Sequence, residues 1–207
     1  MRIDSDAVMW SAPERERAGR PLLVLLHAFG SHEGDMFAYA RSLPLEPVIA
    51  SVRAPLQVDT GYNTWFPSDD ASVEERLDSI AGATGALLDW IDTTASTGVG
   101  LLGLSQGGAM ALQLLRERPD GFDYVVQLSG FVLPAEHPGD ARLAERQPPV
   151  FWGRGTVDDV IPASLINHTQ DWLAQHATLT EGIYEGLGHE VSQRELSELS
   201  AFIRSQF

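Results

Sequence analysis

The stretch Val99-Gly100-Leu101-Leu102-Gly103-Leu104-Ser105-Gln106-Gly107-Gly108-Ala109-Met110 decides how the chain is read. A continuous apolar run leads into a serine set between two glycines, and small and apolar residues of helical character follow. Glycine weakens strands and helices alike, so its placement on both sides of Ser105 answers a need other than local stability. The pattern Gly-x-Ser-x-Gly, between a strand and a helix, is that of a nucleophile elbow, a tight turn that lifts a serine hydroxyl clear of the backbone. The pattern alone is short, and its meaning depends on whether a base and an acid follow in suitable places.

Outward from that stretch, strand-like runs alternate with segments of helical period. Leu22 to Leu26 is continuously apolar, as expected of a strand buried on both faces. A helix is expected over Glu33 to Leu43, with Met36, Phe37 and Ala40 on one face, and a strand over Val48 to Val52. Gln57 to Asp70 reads as a loop rich in turn residues and aromatics. Ser72 and Glu75 form a capping-box pattern that opens a helix running to about Thr93, with Leu77, Ile80, Ala81, Leu87, Leu88 and Ile91 expected inward.

Beyond the elbow the spacing predicts a helix over Gln106 to Arg118 and a strand over Tyr124 to Leu128. Val132 to Pro149 reads as a Pro-rich loop, short for a cap domain but long enough to overhang a site. A strand at Val150 to Trp152, a helix at Pro162 to Gln175, a strand at Thr178 to Tyr184 and a helix at Glu190 to Arg204 follow. This alternation calls for a mostly parallel sheet covered by helices on both faces, with right-handed crossovers. No repeat or linker divides the chain, so residues 1–207 are expected to form one α/β domain. Function in such folds gathers where strand ends feed into helices.

A serine hydroxyl needs an adjacent base, and histidine oriented by a carboxylate is the usual one. Of the six histidines, His189 in Gly186-Leu187-Gly188-His189-Glu190 lies on a short loop between the last strand and the last helix, at the sheet edge of Ser105. Asp158, in Gly153-Arg154-Gly155-Thr156-Val157-Asp158-Asp159, follows a strand and precedes the helix opened by Pro162; its neighbour Asp159 is the alternative acid. The order Ser105, Asp158, His189 is the order of partners that follows a nucleophile elbow. Two backbone N–H groups are expected to form an oxyanion hole, one from Gln106 and one from the loop after the first central strand, with Phe29 the candidate there.

With those residues in place, the chain resembles the phospholipase/carboxylesterase family of α/β-hydrolases, which includes acyl-protein thioesterases and bacterial carboxylesterases. The likeness spans nearly the whole length and is carried by LLHAFGSHEGD (25–35), RAPLQVDTGYNTWF (53–66), GLSQGGAM (103–110), GTVDDVIP (155–162) and GLGHEVS (186–192). It implies an α/β-hydrolase fold without a cap domain, Ser105 as nucleophile, Asp158 and His189 as its partners, and Phe29 and Gln106 as oxyanion donors. It implies ester hydrolysis through an acyl-enzyme with neither metal nor organic cofactor, and a small-molecule ester or thioester as substrate. Tyr62, Trp65 and Phe66 become candidates for a pocket wall; the alternative is that Trp65 and Phe66 staple their loop to the core. Two positions depart from the family pattern: Ala28 stands where a glycine is usual, and Arg154 where a histidine is usual. Homodimers are common among relatives, and no stretch of this chain marks an interface.

Composition narrows the partners. A formal net charge of -15 disfavours nucleic acid and anionic membrane surfaces. Cysteine is absent, which removes thiolate chemistry and disulfides. The longest apolar run, Leu22 to Leu26, is far too short for a bilayer. The polar start lacks a secretory pattern, so a cytoplasmic protein without stable membrane association is expected.

Overall fold

The computed structural model describes residues 1–68 and 70–207. In chain order its strands and helices are β1 (Met9–Trp10), β2 (Leu22–Leu26), α1 (Glu33–Phe37), β3 (Val48–Val52), β4 (Leu56–Asp59), β5 (Tyr62–Thr64), α2 (Val73–Asp92), β6 (Val99–Leu104), α3 (Gln106–Glu117), β7 (Tyr124–Leu128), α4 (Asp140–Arg146), β8 (Pro149–Gly155), α5 (Ala163–His176), β9 (Thr178–Tyr184) and α6 (Gln193–Arg204). Seven strands form one sheet in the order β1-β3-β2-β6-β7-β8-β9. All neighbours run parallel except the short edge strand β1, which pairs antiparallel with β3. This is the mostly parallel sheet expected from the alternating pattern, in the α/β-hydrolase arrangement that the resemblance implies.

The continuous apolar runs are explained by burial on both faces. Leu22, Val24 and Leu26 face a core built with α2, α3 and α5, while Leu23 and Leu25 face a second core closed by Met36 of α1 and by Leu196, Leu199, Phe202 and Ile203 of α6. From β2 the chain first moves outward to β3, then returns to place β6 on the other side of β2. The strand order therefore reverses between β2 and β6, and the loops leaving those two strands diverge there. Such a crevice is where open α/β sheets hold their ligands.

Several expected boundaries shift for local reasons. The helix expected over 33–43 is α-helical only to Phe37 and tightens into a 3-10 turn over Ala38–Ser42. The last helix starts at Gln193 rather than Glu190, because Ser192 caps it and Glu195 completes the box. Within the expected 57–70 loop, β4 and β5 form a hairpin turned at Thr60-Gly61, with Gly61 at φ 83°.

Two further expectations are corrected. Leu77 and Ala81 do not point inward: Leu77 is 52% exposed and both line a groove of about 640 Å³ between α2, α3 and residues 133–137. The helix is apolar on more than one stripe, and Ile80, Ala83, Leu87 and Ile91 take the core side. The stretch 132–149 is not all loop either, since it carries α4. Arg116 of α3 donates to the Leu133 and Ala135 carbonyls and to both carboxylate oxygens of Asp140, folding this segment down along α3. Among the described residues, no helix is long and apolar enough to cross a membrane.

Candidate active site

Ser105 sits between β6 and α3 at φ 54° and ψ -116°, a region that costs a non-glycine residue roughly 1–3 kcal/mol. The surroundings hold it there. Its N–H donates to the Leu128 carbonyl of β7 at 2.8 Å, and its own carbonyl accepts from Ala109 at 3.1 Å. The flanking glycines allow β6, α3 and β2 to meet at backbone contact. A Cβ on Gly103 would lie 2.1 Å from the Gly107 carbonyl oxygen, and one on Gly107 would lie 2.0 Å from that of Leu26.

Ser105, Asp158 and His189 are brought together from three separate strand ends. His189 Nε2 lies 2.9 Å from Ser105 Oγ, and His189 Nδ1 lies 2.8 Å from Asp158 Oδ2. Since the carboxylate can only accept, Nδ1 carries the proton and Nε2 is left to accept from the serine hydroxyl. The other carboxylate oxygen, Oδ1, accepts from Val160 N–H at 2.9 Å and Ile161 N–H at 3.1 Å. Burial alone would raise the Asp158 pKa; the bond from His189 and the two backbone N–H groups outweigh it and hold the carboxyl below its ordinary value. Asp159 is exposed, and the ring nitrogens of His189 are taken by Asp158 and Ser105.

The proposed oxyanion residues occupy the switch point. Gln106 opens α3, where unpaired N–H groups and the helix dipole favour negative charge. Phe29, 45% exposed, lies on the loop after β2. Gly30 supplies the left-handed turn of that loop at φ 63°. Ala28 is not among the residues of positive φ, so alanine at this position introduces no left-handed strain. Arg154 lies over the Trp152 ring and pairs with Glu181 of β9 at 3.4 Å.

The three aromatic residues expected at the pocket wall separate. Tyr62 is half exposed on β5, whereas Trp65 is 0% and Phe66 3% exposed, both packed within the α2/α3 core. Trp65 and Phe66 thus support the loop from beneath instead of presenting a surface. The reason lies in the Gln106 side chain. Its Oε1 accepts from Trp65 N–H at 2.9 Å and lies 2.8 Å from the Thr64 hydroxyl, while its Nε2 donates to the Phe66 carbonyl at 2.8 Å. One residue therefore carries a candidate oxyanion donor on its backbone and fastens the 64–66 segment with its side chain.

His27 is a further part of this machinery, read from sequence only as a strand end. It is fully buried, with Nδ1 donating to the Ala28 carbonyl at 2.8 Å and Nε2 accepting from Ala54 N–H at 3.0 Å. Its ring packs on Trp65 at 5.3 Å between centroids, and Trp65 Nε1 donates to the His27 carbonyl. Burial lowers its pKa, against the pull of the Ala28 carbonyl and Glu33, so the ring is a neutral brace for the loop after β2. The β4–β5 hairpin completes the support: Gly30 N–H donates to the Asn63 carbonyl, and Asn63 N–H to the Ser31 carbonyl. A histidine directly after an apolar strand was the available signal for His27; the hairpin's signal was Gly61 between short alternating runs.

Comparisons with known proteins agree with this architecture. Residues 11–207 match the model of the phospholipase/carboxylesterase family. Carboxylesterase SOBER1 of Arabidopsis thaliana is 26% identical over 79% of this chain and 74% of its own length. Acyl-protein thioesterase 1 of Candida albicans is 32% identical, over 50% of this chain and 47% of its own. The crystal structure of esterase PE8 superposes over the whole of both chains with a TM-score of 0.78 at 25% identity. With residues 11–207 matched, the chain belongs to the phospholipase/carboxylesterase family of α/β-hydrolases.

Proposed function

We propose that the protein hydrolyses carboxylic esters of short to medium acyl chain through an acyl-enzyme on Ser105. The observation that carries this reading is the continuous hydrogen-bonded chain from Ser105 Oγ through the His189 ring to Asp158. In the reaction, Oγ attacks the ester carbonyl as its proton passes to His189 Nε2. The negative charge developing on the carbonyl oxygen is met by the N–H groups of Phe29 and Gln106 at the mouth of α3. Asp158 keeps the imidazole in the tautomer that accepts at Nε2 and stabilises the cation formed. His189 then returns the proton to the departing alkoxide oxygen, and the alcohol leaves. Water, deprotonated by the same imidazole, attacks the acyl-serine; collapse of the second tetrahedral intermediate restores Ser105 and frees the acid.

Phe29 on the loop after β2 and Tyr62 on β5, both exposed, are apolar groups that an acyl chain could meet. The matched acyl-protein thioesterase supports a second reading within the same chemistry, in which the acyl group arrives as a thioester on a larger carrier. A panel of p-nitrophenyl esters and matched thioesters, graded in chain length, tests both. Turnover is expected on the acetate and butyrate esters and lost by at least about 10⁴-fold in Ser105→Ala. Equal rates in the two purified proteins overturn the assignment, and a preference for long-chain thioesters transfers it to the second reading.

A further inference from the structure

One buried titratable group that the Ser105 chemistry leaves unused is Glu195, in the first turn of α6. It is 1% exposed. Its Oε2 accepts from the Ser192 N–H at 3.3 Å while its own N–H donates to Ser192 Oγ at 3.1 Å, closing the helix cap. Its Oε1 is buried without a hydrogen-bond partner among the described residues. The carboxyl group rests on β8, where a Cβ on Gly153 would lie 2.1 Å from Oε1.

Two residues further along the same face of β8, Gly155 does the equivalent for the other side of the His189 loop. A Cβ there would lie 1.9 Å from the Leu187 carbonyl oxygen and 2.7 Å from that of Gly188. Missing side chains at 153 and 155 thus make a trough in β8. The chain just before His189 lies in one part of it and the carboxyl of Glu195 fills the other. His189 is held between these two contacts, one immediately before it and one at the Ser192 cap three residues after it.

We propose that Glu195 is a positioning residue for His189, acting in its uncharged form: seated on Gly153, it clamps the first turn of α6 and so fixes the Ser192 end of the loop that carries the imidazole. The proposal rests on the reading of His189 as the base that serves Ser105. An uncharged carboxyl suits the socket. Burial, opposed by the Ser192 N–H and reinforced by Glu198, pushes the Glu195 pKa up to about 7. The groups facing it offer no free cation. Glu198 and Arg194 of α6 are paired to each other, Tyr184 of β9 donates to Glu198, and Tyr39, from the turn after α1, is itself shifted up by burial and by Glu195. Ionisation leaves a buried negative charge beside Glu198 with nothing to balance it, and the clamp opens.

The test is the pH dependence of kcat and KM on p-nitrophenyl butyrate in the parent, Glu195→Gln, Glu195→Ala and Gly153→Ala proteins, with the His189 ring resonances followed by NMR. In the parent, kcat is expected to fall on the alkaline side with a midpoint near the Glu195 pKa of about 7. Glu195→Gln, which stays neutral, exceeds the parent kcat about twofold at pH 7, where half of the parent's Glu195 is ionised, and keeps that rate into alkali. Glu195→Ala, and Gly153→Ala whose methyl group evicts the carboxyl, lose kcat by about tenfold to a hundredfold at every pH with KM little changed. The His189 resonances are displaced in those two variants and kept in Glu195→Gln. An alkaline fall unaltered by Glu195→Gln, or parent kcat and parent His189 resonances in Glu195→Ala, overturns the proposal. If no variant hydrolyses any ester, the resonances still decide whether Glu195 positions the ring, and the failure belongs to the ester reading.

Discussion

Gly107 and Leu26 touch backbone to backbone: a methyl group on Gly107 would stand 2.0 Å from the Leu26 carbonyl oxygen and 2.7 Å from that of His27. This contact locks the start of α3 against the end of β2, so the two candidate oxyanion donors are referenced to one another through main-chain atoms. Neither neighbour is a flexible side chain that can move aside. Gly107→Ala is expected to cost at least about 2 kcal/mol of stability in urea titration, and to lower kcat more than the stability loss explains. Parent-like values for both would show that the approach is not needed.

The Gln106 side chain makes a second, separable test. Its amide satisfies the Trp65 N–H and the Phe66 carbonyl inside the core, and removing a partner from a buried polar group costs about 1–3 kcal/mol. Gln106→Ala keeps the backbone N–H but releases the 64–66 segment. Thermal unfolding is expected at lower temperature, with the Trp65 fluorescence shifted to the red as water reaches the ring. Unchanged emission would mean that the segment is held by its apolar contacts alone.

His27 gives a prediction in pH. Its folded pKa lies below the ordinary value of 6.5, so below 6.5 the unfolded chain binds a proton that the folded chain refuses. Stability is then full above that range and declines as the pH falls through it. Protonation also removes the lone pair that receives Ala54 N–H. Chemical denaturation between about pH 5 and 8 is expected to show this slope in the parent and a shallower one in His27→Gln, which does not titrate. Identical slopes would assign the acid sensitivity to other groups.

How much of this was legible beforehand depended on whether the signal was local. Leu22–Leu26 and Val48–Val52 match the strands found because burial on both faces leaves a continuous apolar run. Ser105, Asp158 and His189 were legible because each is a chemically distinctive residue at a strand end, in an order that the topology brings together. The structure places them within hydrogen-bonding distance in that order. The two faces of α2 were not legible: Leu77 and Leu87 are the same residue type, and only packing decides that one faces a groove and the other the core. The strand expected at Val150 to Trp152 extends to Gly155, so Gly153 and Gly155 lie within β8, cleared for atoms of α6 and of the His189 loop. Trp65 and Phe66 read equally as pocket or core, and the hydrogen bonds of Gln106 settle them beneath the surface.

The most direct test of an activated serine is covalent and needs no knowledge of the substrate. The purified protein is treated with a fluorophosphonate, and intact mass and peptide mapping report the adduct. One adduct per chain, on Ser105, is expected, absent from Ser105→Ala and slowed by at least about a hundredfold in His189→Ala. A parent protein that stays unlabelled, or one labelled at the same rate after His189 is replaced, would contradict the hydrogen-bonded relay as the source of reactivity.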